Sequence, residues 1–156
     1  MLTENQKATL AAALRAETNA AVVAAMAIRN DVFLSEWCNT ASATLAWNES
    51  VDRAALFDAT HITKFDGLSA GKRDAWKLML DNAPIDAGRN KIRKAVQDVW
   101  GNADSVAVLQ DCRRAATNAE VYLGGSDATT NTVTARKLNW TGQIGLFDMS
   151  DALNRF

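Results

Sequence analysis

The stretch Gly88–Gly125, GRNKIRKAVQDVWGNADSVAVLQDCRRAATNAEVYLGG, decides how the chain is read. Ile92, Val96, Val99 and Trp100 recur at i, i+4, i+7 and i+8, which is one face of a helix. Asp86 is a natural cap for that helix and Gly101 a natural stop. Beyond it, Leu109, Cys112, Ala116, Ala119 and Leu123 repeat with spacing 3, 4, 3, 4. This predicts a second long helix from about Asn102 to Leu123, closed by Gly124-Gly125. Its small residues would let a neighbouring helix approach closely.

Outward from this stretch the same signals continue. Ser69 is an N-cap for a helix burying Trp76, Met79 and Leu80 and ending before Pro84. At the N-terminus, Thr3-Glu4-Asn5-Gln6 fits a capping box, with Leu10 and Leu14 giving an apolar stripe. Asn19 to Ile28 is apolar around its whole circumference, which predicts a helix buried on all sides. A third helix is expected from Asp31 to Cys38. Residues 39–67 are the least regular. Thr44 to Trp47 reads as a short strand or extended loop, and Ser50 as the cap of a short helix before the Asp66-Gly67 turn.

After Gly125 the character changes. Ser126 to Thr134 is threonine-rich and lacks a periodic apolar face, and Leu138, Trp140, Ile144, Leu146 and Phe147 follow, interrupted by glycines. Thr and Val between Thr130 and Leu138 suit a strand or hairpin, and a short helix is expected from Ser150 to Asn154. The expected fold class is therefore mainly α: a helical bundle over residues 1–125, then an extended C-terminal arm over 126–156 that is not an independent domain. The five apolar arm residues, Leu138, Trp140, Ile144, Leu146 and Phe147, are too apolar to stay in water and are the candidate partner-binding residues.

Composition narrows the function classes. The 156 residues carry 17 Lys plus Arg against 18 Asp plus Glu, a net charge of -1, unlike a chain built to coat nucleic acid. One His and two Cys exclude zinc fingers, iron–sulfur ligation and a disulfide framework. His61 has no carboxylate pair or cysteine at ligand spacing and reads as a turn or core-edge residue. Cys38 and Cys112 read as small core residues. Gly67-Leu68-Ser69-Ala70-Gly71-Lys72 has the wrong glycine spacing for a phosphate loop, and Arg73 stands where a magnesium-binding hydroxyl belongs. No catalytic, cofactor-binding or metal-binding residue is expected, and no enzyme activity. The polar N-terminus and the lack of a long apolar run read as a chain made in cytoplasm, with no membrane partner.

One charged feature stands out. Between Gly71 and Lys94 lie seven basic residues and three acids. Lys72, Arg73, Arg89, Lys91, Arg93 and Lys94 are candidates to face DNA in a channel or an acidic partner; the plainer reading is a solvated helix face.

The chain resembles proteins of tailed bacteriophages encoded in structural cassettes near the capsid gene. The likeness is carried by Leu2-Thr3-Glu4-Asn5-Gln6 with Leu10 and Leu14, and by Leu68-Ser69-Ala70-Gly71-Lys72 with Trp76. It continues through Asn90, Arg93, Trp100-Gly101 and Arg114-Ala115-Ala116-Thr117-Asn118-Ala119-Glu120, and into Leu138-Asn139-Trp140-Thr141-Gly142 and Asp148-Met149-Ser150-Asp151. In form it is similar to the head-to-tail adaptors, or neck connectors, of those phages. That resemblance implies a virion structural protein in the neck between capsid and tail: a homo-oligomeric ring, twelve-fold, bound to the portal protein and to a downstream neck or tail protein. The ring would line the channel for packaged DNA, with non-specific proximity to it and no cofactor. The alternatives are another virion structural protein, such as a capsid decoration or tail component, or a small helical DNA-binding regulator.

Overall fold

A computed structural model describes all 156 residues. The elements in chain order are helices α1 (Glu4–Ala16), α2 (Ala20–Ala27) and α3 (Asp31–Asn39), strand β1 (Ala41–Trp47), and helices α4 (Arg53–Asp58), α5 (Ile62–Phe65), α6 (Ala70–Asp81) and α7 (Asn90–Asp111). They continue with β2 (Arg113–Thr117), α8 (Asn118–Tyr122), β3 (Gly125–Thr130), β4 (Val133–Leu138) and α9 (Leu146–Arg155). The strands form one sheet in the order β2-β1-β4-β3, and β1 pairs with β4 in parallel with Ala46 opposite Arg136. This overturns the mainly α bundle with an extended arm. Nine helices and a four-stranded mixed sheet make an α/β fold, and the residues beyond Gly125 supply two strands and a helix.

The long helix expected from Asn102 to Leu123 also gives way. The expected stop at Gly101 holds: it divides α7 into two helical stretches at φ 78°, a left-handed conformation that glycine adopts without a Cβ penalty, and the error lies in the expected end of the second. That second stretch stops at Asp111, and Arg113–Thr117 is extended as β2. Thr117 starts α8 with a complete capping box: its hydroxyl accepts from Glu120 N–H, and the Glu120 carboxylate accepts from Thr117 N–H. All five residues of the expected face are nevertheless buried. The sequence spacing identified the core residues while misassigning the backbone that carries them.

The chain forms two compact units: residues 1–44, 115–125 and 138–156, and residues 45–114 and 126–137. In the first, Leu10, Leu14, Leu34, Cys38, Met149 and Leu153 centre a core to which α1, α3, α8 and α9 contribute. Thr3 caps α1 with the expected box. Lys7, buried on α1, pairs with Asp151 of α9 at 2.7 Å and with Glu4 at 3.0 Å. Leu2 N–H donates to Asp148 Oδ1 at 3.1 Å. Asn39 holds the backbone of Ile144 by both groups, accepting from its N–H at 2.8 Å and donating to its C=O at 2.9 Å. That clamp accounts for backbone that no helix or strand satisfies.

In the second unit Trp47, Trp76, Leu56, Val96, Trp100 and Leu109 are buried together. Trp76 and Trp100 meet edge to face at 5.3 Å, and Trp76 Nε1 donates to Thr60 Oγ1 at 2.8 Å. Ser69 caps α6 as expected, whereas α4 is capped by Asp52 and not Ser50. The loop before α7 is tied down by a bridge in which Val51 and Ile85 exchange backbone hydrogen bonds. Asp86 accepts from Gly88 N–H at 2.8 Å, so the helix cap assigned to it is replaced by a tight turn, and α7 begins at Asn90.

Trp76→Ala is expected to cost about 3–5 kcal/mol in urea unfolding, the usual range for a large aromatic truncation in a core. Trp100 Nε1 is buried without a hydrogen-bond partner. Trp100→Phe should therefore destabilise less than Trp76→Phe, which removes the bond that the Thr60 hydroxyl accepts while leaving the one it donates to the Leu56 carbonyl. An equal loss in both would contradict this packing. Lys7 holds Asp151 below its ordinary value of 3.8, and Asp151 and Glu4 raise Lys7 above 10.5. The Asp151 contribution is complete above about pH 4 and is lost as pH falls through the lowered value in the folded state; the Lys7 contribution is complete below its ordinary value and is lost as pH rises through the raised one. Lys7→Met should flatten the acid limb of a melting temperature against pH curve, as read by circular dichroism.

Candidate functional site

The residues singled out by sequence separate into three places. Of the apolar C-terminal group, Ile144 is buried in the core of the first unit, and Trp140 packs against that core. Leu138, at the end of β4, is half-buried. Only Leu146 and Phe147, in the first turn of α9, are exposed, at 52% and 69%. The arm thus satisfies most of its hydrophobic demand within its own chain.

The basic cluster also divides. Arg93 is buried and its donors are committed: Nε to Thr130 Oγ1, and Nη1 to the carbonyls of Ala87 and Gly88, each at 2.8 Å. Its guanidinium lies 4.8 Å from the centroid of the Trp47 ring, a cation–π stack. Burial lowers its pKa, with Asp86 acting in the opposite sense. Arg93 is an internal clamp, buried from solvent. Lys72 lies on an open apolar groove of about 370 Å³ between α6 and α7, together with Ala75, Leu78, Met79, Asp98 and Val99. Arg73 donates to the carbonyl of Asp66 at 3.0 Å. Arg89 and Lys91 line a second cavity, of about 440 Å³, with Asn90, Ile92 and Lys137. Lys94 is exposed on α7.

Two features were not found by sequence reasoning. Lys137 reaches the Arg89–Lys91 cavity from β4, a convergence set by the fold and unmarked by spacing. The other is α2. Only Val22 and Ala25 of this helix are buried, while Ala20, Val23, Ala24, Ala27 and the following Ile28 are exposed, Val23 at 51% and Ile28 at 75%. The expectation of a helix buried on all sides is corrected: α2 presents an uncharged apolar face to solvent. Val32, at the start of α3, is also exposed, at 54%.

No three His, Cys, Asp or Glu side chains come together to hold a metal ion. His61 sits edge-on to Trp100 at 5.7 Å in the aromatic core of the second unit. Burial pushes both thiols up to about 12, so Cys38 and Cys112 remain protonated near neutrality. Tyr122, partly buried and donating to Glu17, is likewise pushed up to about 12. The arrangement offers a cavity lined by three cations and exposed apolar surfaces. Comparison with protein-family models, curated proteins and solved structures gave no match.

In the native protein neither thiol should react with a disulfide reagent at about pH 8, and both should react once denaturant unfolds the chain. Phe147→Ser should shift stability by no more than about 0.5 kcal/mol, as at other exposed positions, whereas Ile144→Ser should be clearly destabilising. Comparable losses at the two sites in urea titrations would contradict the division of the C-terminal segment.

Proposed function

We propose that the chain is a structural subunit that assembles with its own copies into a ring in the neck of a tailed phage particle. There it joins the portal to a downstream neck or tail protein and lines the passage for packaged DNA. The single observation that carries this reading is the exposed apolar face of α2. A helix with no charge from Ala20 to Ala27 that leaves most of its side chains in water is unusual for a chain that stays alone. Small residues at positions 20, 24 and 27 admit a close helix approach, and Val23 and Ile28 supply the apolar area. Leu146 and Phe147 are a second exposed apolar pair, suited to a different neighbour such as the portal or the next neck protein. The near-neutral net charge fits a channel wall that passes DNA without trapping it.

Mass photometry and negative-stain microscopy of the purified protein test this reading. The wild type should form closed rings. Ala24→Glu and Ile28→Glu should each release folded monomers with an unchanged melting temperature, because both positions are exposed within the subunit. A wild type that stays monomeric at high concentration, or glutamate variants that still form rings, would overturn it.

A further inference from the structure

The cavity of about 440 Å³ lined by Arg89, Asn90, Lys91, Ile92 and Lys137 brings three cations together from two elements, the start of α7 and strand β4. Seven cations of the chain, Lys7, Arg29, Arg53, Lys64, Lys77, Arg114 and Arg155, each have a carboxylate within 4.0 Å. Arg89, Lys91 and Lys137 form no such ion pair. The acid just upstream, Asp86, is engaged with Gly88 N–H. Three like charges lining one concavity repel each other, and an incoming anion relieves that repulsion. The first turn of α7 adds to the effect, since it contains no acid and its cap residue, Arg89, makes no side-chain capping bond. The internal bonds of Arg93, two residues beyond Lys91, hold the backbone of this turn in place.

We infer that the Arg89–Lys91–Lys137 cavity is a phosphate-binding site that takes the backbone of nucleic acid without reading its sequence. Its lining has no aromatic ring on which a base or nucleotide would stack, and Asn90 is its only amide side chain. Contacts from cations to phosphates fix position on the backbone and confer no sequence preference. The chain's net charge of -1 means that any affinity for a polyanion must come from a local site. The inference does not depend on ring assembly and is tested on the protein in solution, whether or not it assembles.

Fluorescence anisotropy with two labelled duplexes of unrelated sequence, titrated between about 50 and 200 mM salt, provides the test. The full chain should bind both duplexes equally, with a log–log salt slope of about -2 to -3 from three phosphate contacts. The triple variant Arg89→Gln/Lys91→Gln/Lys137→Gln should lose at least tenfold in affinity and flatten the slope. A control triple at ion-paired positions, Arg53→Gln/Lys64→Gln/Lys77→Gln, changes net charge by the same amount and should stay within about twofold of wild type. Circular dichroism melting must show both triples folded, and three single variants replace any triple that is not. No wild-type binding, equal loss in the control, or preference for one duplex would each overturn the inference. So would complete displacement of DNA by about 1 mM inorganic phosphate, which would make a free phosphate the ligand.

Discussion

The guanidinium of Arg93 is the interaction on which the organisation of the second unit depends. It is buried from solvent, stacks on Trp47 of β1, and donates to Thr130 at the end of β3 and to two carbonyls of the 87–88 turn. Trp47 in turn donates through Nε1 to the Ala128 carbonyl on β3, at 2.9 Å. One arginine and one tryptophan thereby join a strand from the first third of the chain, a hairpin from the last third and the start of the long helix. A buried cation with only neutral hydrogen-bond partners is costly to desolvate, and its lowered pKa reflects that cost. Removing the side chain would leave Thr130 and two carbonyls to find other partners in a closed core.

That clamp also connects fold to surface. Because Arg93 faces inward, the flanking turn presents Arg89 and Lys91 outward, where Lys137 of β4 meets them at the same cavity. The charge run in the sequence therefore has two roles. One cation is structural, and its neighbours are displayed on a scaffold it makes rigid. The first unit contributes a different kind of surface: the uncharged face of α2, on a unit whose interior is closed by the Lys7–Asp151 ion pair and the Asn39 clamp on Ile144.

How much of this could be read in advance follows the range of the interactions. Local signals were legible: the Thr3 box, the Ser69 cap, the Trp76 face and the helix beginning at Asp31. Thr117-Asn118-Ala119-Glu120 is a capping box too, but a helical spacing continued through it and concealed the strand Arg113–Thr117. The spacing was satisfied because Leu109, Cys112, Ala116, Ala119 and Leu123 are all buried, some on helix and one on strand. The sheet was not legible because β1 pairs with β4 far along the chain, a contact no short window contains. For α2, apolar composition was read as burial within the subunit, but composition alone does not say which face of a helix its own chain covers. Lys137 was missed for the same reason as the sheet: only the strand pairing brings it to Arg89 and Lys91.

The assembly reading and the phosphate site ask different things of the molecule, one of α2 and the other of the start of α7 and β4. A location where copies of the chain surround nucleic acid would suit both, although the phosphate site does not require it. The most direct measurement is cryo-electron microscopy of phage particles in which this chain carries a gold-labelled tag. The account predicts label only at the tail vertex, around a closed ring coaxial with the portal. Label scattered over the capsid surface, or absent from mature particles, would contradict it.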